Sequence, residues 1–164
     1  MTATLYLDQN YLSGIAKRKP GFIDLEPALR AALARRAVIV VESAVHEIES
    51  RPRPDLRLSE LLRAFSAGHR LPRDPDREVH EVRRRMSWTI ARELPERHSR
   101  ASDAADLEAL ASALIHCDLV TCDAFMADVI RRARLDLRHR CELFTGRRVD
   151  VDRLRTELQR LAAL

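Results

Sequence analysis

The chain has 164 residues, of which 46% are apolar and 33% charged, with a formal net charge of +4. That length suits one domain with a sizeable core, while the lack of any apolar run near ~20 residues argues against a membrane helix. The start carries no basic-then-apolar export pattern, so the expectation is a cytoplasmic protein that touches no membrane. A sequence pI near 9.4 permits a polyanionic partner. The basic residues are almost all arginine, however, and that skew also arises from genome composition.

Taken in order, Leu5 to Leu7 is a short apolar run broken by Asp8, Gln9 and Asn10. A short helix is expected over Tyr11–Arg18, ended by Pro20 and Gly21. The next helix is expected to follow Pro27 and Ala28 and to reach about Arg36, with Leu29 and Leu33 on one face. Val38 to Val41 is apolar at every position, as in a parallel strand covered on both sides. Ser43 reads as the cap of a helical turn through Glu49.

Residues 51 to 100 read as helical hairpin material inserted in the domain. An amphipathic helix from Leu56 to Ala67 stops at Gly68. A second carries Val79, Val82, Met86 and Ile90 at helical spacing, and that stripe is best explained as packing. Its charged back holds Arg83, Arg84, Arg85 and Arg92, a candidate RNA-binding face. Helices are then expected over Asp103–His116 and Ala124–Leu135, and strands over 118–121 and 141–144. Asp150 or Asp152 is expected to cap a closing helix that carries Val151, Leu154, Leu158 and Leu161.

Strands alternating with helices imply an α/β fold, a three-layer α/β/α sandwich around a parallel sheet of four to five strands. The whole chain, 1–164, is one such domain. Cys117, Cys122 and Cys141 are odd in number and follow no export signal, which favours reduced structural thiols. A zinc site with His116 fits the spacing poorly.

Four acids fall where such a fold gathers side chains: Asp8, Glu47, Asp106 and Asp123. Asp8 and Asp123 follow strands that can flank the topological switch point. Each acid alone has an ordinary explanation, as a helix cap or first-turn acid. Together, carboxylates at one sheet edge repel one another unless a cation sits among them. Mg2+ or Mn2+ suits such hard oxygen donors, and its expected use there is phosphodiester hydrolysis.

At these positions the chain resembles the PIN-domain ribonucleases. Residues 5–12 resemble that family's opening strand with its first Asp, and residues 43–48 the segment with its Glu. Residues 106–123 resemble its pattern of Asp, alanine-rich helix and strand ending in Thr-x-Asp. The resemblance implies a metal-dependent endoribonuclease whose catalytic and metal-binding residues are Asp8, Glu47, Asp106 and Asp123. Asp103 competes for the third position. It further implies that Asn10 and Thr121 support the ligands from behind, and that the substrate is single-stranded or loop RNA cut to leave a 5′-phosphate. Small PIN proteins are often toxins held by an antitoxin, and often homodimers. Gln9 departs from the Ser or Thr that many members carry, and the 51–100 helices are longer than in the smallest members.

Other chemistries fit less well. A phosphatase of the HAD type wants an Asp where Asn10 stands. A metal-independent RNase built on Arg and His spacing is met equally by Arg92 with His98 and by Arg63 with His69. The alternative to catalysis is an inactive PIN-like scaffold that docks RNA or a protein. His46 beside Glu47 is a candidate substrate contact.

Overall fold

The computed structural model describes residues 2–46, 54–73, 76–96 and 103–164. The elements are β1 (Ala3–Tyr6), α1 (Gln9–Ala16), α2 (Phe22–Ala34), β2 (Val38–Val41), α3 (Leu58–Ser66) and α4 (Arg77–Glu93). They continue as α5 (Asp103–His116), β3 (Leu119–Thr121), α6 (Ala124–Arg132), α7 (Leu135–His139), β4 (Glu142–Phe144) and α8 (Arg148–Ala163). The strands form one parallel sheet in the order β2-β1-β3-β4. The expected α/β/α sandwich is therefore the fold, with four strands.

Side chains alternate across the sheet, because successive strand residues point to opposite faces. Leu5, Leu7, Val38, Val40, Leu119 and Phe144 join a core with α1, α2, α3 and α8. Tyr6, Val41, Val120 and Leu143 join the other core, with α4, α5, α6 and α7. The two helices between 51 and 100 are no appendage. Leu58, Leu62 and Phe65 of α3 enter the first core, and Val79, Val82 and Met86 of α4 the second. A side chain as buried as Met86 or Leu114 contributes roughly 1.5–3 kcal/mol, which gives the predicted stripe its packing role.

Several boundaries differ from expectation. Helix α2 begins at Phe22, before Pro27, which it contains. Gly21 (φ 88°) makes the turn that starts it, and Pro27 gives up one backbone bond near Ile23, which is 46% exposed. The predicted 124–135 helix is broken by Arg134 in the left-handed conformation (φ 56°). Neither Asp150 nor Asp152 caps α8. Arg147 occupies that position, and Asp150 instead binds the preceding turn.

Gly14 is fixed by close approach. A Cβ there would lie 2.8 Å from the Phe22 ring, so α1 and α2 cross where only glycine fits. Cys117, Cys122 and Cys141 are all buried free thiols. Among the described residues, no helix is long and apolar enough to cross a membrane.

Candidate metal centre

β1 and β3 are neighbours, but the chain leaves β1 toward β2 on one side and β3 toward β4 on the other. The diverging connections open a crevice at the carboxyl edge of the sheet, the usual ligand position in such folds. Asp8 and Asp123 both stand there, each two residues beyond the end of its strand. Each caps the following helix with its Oδ1. The Tyr11 N–H donates to Asp8 at 3.1 Å and the Met126 N–H to Asp123 at 2.7 Å. The cap role and a ligand role do not compete, since capping engages one carboxylate oxygen.

Thr121 joins the two strands at this point. Its Oγ1 accepts from the Asp8 N–H at 2.6 Å and donates to Asp8 Oδ1 at 3.1 Å. Thr121 is fully buried, so its rotamer is held by packing and its hydroxyl fixes the carboxylate. Asn10 donates from Nδ2 to Asp8 Oδ2 at 3.3 Å. Thr121 and Asn10 thus both touch the Asp8 carboxylate.

Burial dominates the electrostatics of Asp8. It pushes the carboxyl up to about 6, opposed by hydrogen bonds from Tyr11, Thr121 and Asn10 and assisted by the charge of Asp123. Burial, with Asp8 and Asp150 adding to it and Arg153 opposing it, also raises the Tyr11 hydroxyl. Burial with Asp8 and Asp123, opposed by Arg131, raises the Cys122 thiol. Desolvated negative charge at Asp8 beside a second acid is a condition that a bound cation relieves.

Asp103 and Asp106 occupy the first turn of α5. That helix leads into β3 and runs against the strand direction, so its first turn lies at the carboxyl edge. Asp103 is buried and Asp106 half-buried. Glu47 lies outside the described residues. Among the described residues no three His, Cys, Asp or Glu side chains converge to hold a metal. The described donor set is therefore the pair Asp8 and Asp123. It fits magnesium or manganese, which is commonly held by one or two carboxylates, water and substrate phosphate.

His46 is not a substrate contact. It is 2% exposed, and its Nδ1 accepts from the Ser43 N–H at 2.9 Å while Nε2 donates to the Leu7 carbonyl at 2.6 Å. Burial lowers its pKa, and an Nδ1 that accepts from Ser43 belongs to the neutral ring protonated at Nε2. The side chain ties the turn after β2 to the residue before Asp8.

Two further acids stand at this edge, Glu42, which the sequence reading does not single out, and Asp150, which it takes for a helix cap. Glu42 directly follows β2, as Asp8 follows its own apolar run, but it is buried against the Ser66 hydroxyl and lies 3.4 Å from Arg70. Asp150 accepts from the Thr145 N–H at 3.0 Å and from Arg153 at 2.8 Å. Although burial opposes it, these hydrogen bonds and the Arg153 charge hold the Asp150 carboxyl below its ordinary range. Both acids are neutralised by arginine, and Asp8 is not.

The predicted basic face divides. Arg83 lies 3.9 Å from Glu108 of α5. Arg84 and Arg85 instead line a cleft of about 440 Å³ with Trp88. Compared with known proteins, the chain gives no match to a family model, a curated protein or a solved structure.

Proposed function

We propose that this protein is a Mg2+- or Mn2+-dependent endoribonuclease of the PIN type, hydrolysing RNA at the crevice between β1 and β3. The observation that supports it most is the Asp8–Asp123 pair at the switch point, with the Asp8 carboxyl desolvated and in no ion pair among the described residues. Asp8 and Asp123 would hold the cation, with Glu47 and Asp106, or Asp103, completing the set. A divalent ion there supplies Lewis-acid activation of water and neutralises charge on the phosphate.

The chain's own part is orientation. Thr121 and Asn10 hold the two oxygens of Asp8, and the α1 and α6 caps fix where both carboxylates point. Water attacks phosphorus, the bond to the 3′ oxygen breaks, and the products are a 3′-hydroxyl and a 5′-phosphate. An amide at Asn10 cannot serve as the general acid that a HAD-type phosphatase needs, and here it donates to Asp8 instead.

The test is cleavage of single-stranded RNA with Mg2+ or Mn2+ by wild type and Asp8→Asn. The proposal expects metal-dependent cleavage that the variant lacks, and equal rates in both proteins would sink it. The scaffold alternative draws support from the lack of a three-ligand cluster among the described residues. Thermal melting separates the two, because an inactive scaffold would show no saturable metal stabilisation that Asp8→Asn removes. Under the toxin reading, the protein partner would be an antitoxin or a second copy of the chain in the cytoplasm, to be sought by co-purification.

A further inference from the structure

The outer face of α4 carries the chain's single tryptophan. Trp88 is 46% exposed, unusual for so large an apolar side chain. Arg85 and Arg92 lie one turn before and one turn after it. Their guanidinium carbons stand 5.0 and 5.2 Å from the indole centroid. Spacing of three and four residues places all three side chains on one stripe of the helix. Arg84 and Arg138, the latter from α7, line the adjoining cleft of about 440 Å³, opposite Glu78 and Glu81.

The charge on this face is unequal. Glu78 lies 3.7 Å from His139, whose pKa burial lowers, and Glu81 lines the same cleft. Among the described residues, Arg84, Arg85, Arg92 and Arg138 make no ion pair. This contrasts with Arg132 nearby, which is shared between Asp128 and Glu93. Four guanidinium groups against two carboxylates, around an exposed indole, combine the two things a flexible polyanion with flat rings requires. Guanidinium groups bind phosphate oxygens, and the indole and guanidinium planes stack on bases without sequence preference. The apolar lining of the cleft is only Val82, Ala133 and Leu135 beside the indole, too little to anchor an amphipathic helix of a protein partner.

We propose that Trp88, framed by Arg85 and Arg92 and flanked by Arg84 and Arg138, is a stacking platform for single-stranded RNA on the outer face of α4. The choice of RNA rests on the ribonuclease reading, and the platform itself needs neither metal nor cleavage. Binding sets the indole against a nucleobase and exchanges the guanidinium groups' counterions for phosphates.

The single tryptophan makes the test direct. The full chain in EDTA is titrated with a 2′-O-methyl oligouridine, which resists hydrolysis, and Trp88 fluorescence is followed. The proposal expects saturable quenching, with log affinity falling by ~0.7 per engaged phosphate against log salt. Labelled-oligonucleotide anisotropy then compares variants. Trp88→Ala is expected to bind roughly 5- to 150-fold more weakly, the range for losing one stacked base, and Trp88→Phe to retain most of the affinity. Arg84→Ala, Arg85→Ala and Arg92→Ala combined are expected to flatten the salt slope by about two units.

Unquenched fluorescence at saturating oligouridine, or unchanged affinity in Trp88→Ala, overturns the proposal. So does quenching by polyglutamate but not by oligouridine, which would make the face an interface for an acidic protein segment. Inorganic polyphosphate serves as the control without bases: binding that it matches in wild type and in Trp88→Ala alike would leave charge alone and remove the platform. Binding lost while metal-dependent cleavage persists would refute the platform and spare the nuclease. Binding retained with no cleavage under any metal would do the reverse.

Discussion

β1 and β3 are joined at both ends by an aspartate and a threonine, and the two ends behave differently. At the amino end, Asp118 accepts from the N–H and the hydroxyl of Thr4 at 2.8 and 2.9 Å. At the carboxyl end, Asp8 exchanges hydrogen bonds with Thr121 at 2.6 and 3.1 Å. Asp118 is exposed, whereas Thr121 is fully buried and Asp8 lies beside a second acid. The same pair of residue types is a solvated clasp at one end and a strained electrostatic site at the other. Local hydrogen bonds do not distinguish the two acids; burial beside a second acid does.

The comparison breaks most plainly in catalysis. Asp8→Asn is expected to lower metal-dependent RNA cleavage by about three orders of magnitude, the several kcal/mol a catalytic metal supplies. Asp118→Asn should cleave at the wild-type rate. A matched loss in both variants would show that the clasp matters as scaffold only.

Stability without metal is the next difference. The Asp8 carboxyl is raised to about 6 in the fold, so the folded state holds its proton more tightly than the unfolded chain does. Ionisation therefore costs stability. The penalty is absent below about pH 4, grows as pH rises toward 6 and is complete above it. Melts in EDTA should show Asp8→Asn gaining on wild type across that window, by on the order of 1–3 kcal/mol at pH 7. A difference independent of pH would remove desolvation as its cause.

A smaller effect separates the threonines. Thr121→Val is expected to weaken Mn2+ affinity by roughly 10- to 100-fold, as for other groups that orient a ligand, measured by calorimetry. Thr4→Val should leave Mn2+ affinity alone and cost about 1 kcal/mol or less in denaturant unfolding, because water replaces its exposed bonds. The smallest effect is at Asn10, whose contact with Asp8 is long and exposed. Asn10→Ala should change Mn2+ affinity by no more than about threefold.

Much of this arrangement was legible in the sequence. The apolar runs ending at Leu7 and Val41, and the run before Asp123, located three strands because parallel strands are buried on both faces. The switch point followed from helical crossovers, and it placed Asp8 beside Asp123. Asp118 and Thr4 were not foreseen, since their pairing depends on strand register. His46 was misread because nothing in a single sequence distinguishes a buried imidazole from one facing substrate. Glu42 carries the same local signal as Asp8, an acid after an apolar strand, and Asp150 reads as an ordinary first-turn acid. Only the partners Arg70 and Arg153, distant in sequence and near in space, set them apart. Arg85, Trp88 and Arg92 stand at i, i+3 and i+7, a stripe legible in the sequence, whereas the exposure of the indole depends on how α4 packs.

The three cysteines give this site a built-in clock. Cys122 lies between Thr121 and Asp123, while Cys117 and Cys141 begin the segments leading into β3 and β4. Burial raises all three thiols, Cys141 to about 12, so little reactive thiolate exists while the sheet is closed. Alkylation must wait for an opening. The rate at which Cys122 is labelled, set against the other two, therefore times how often the strand carrying Asp123 lets go.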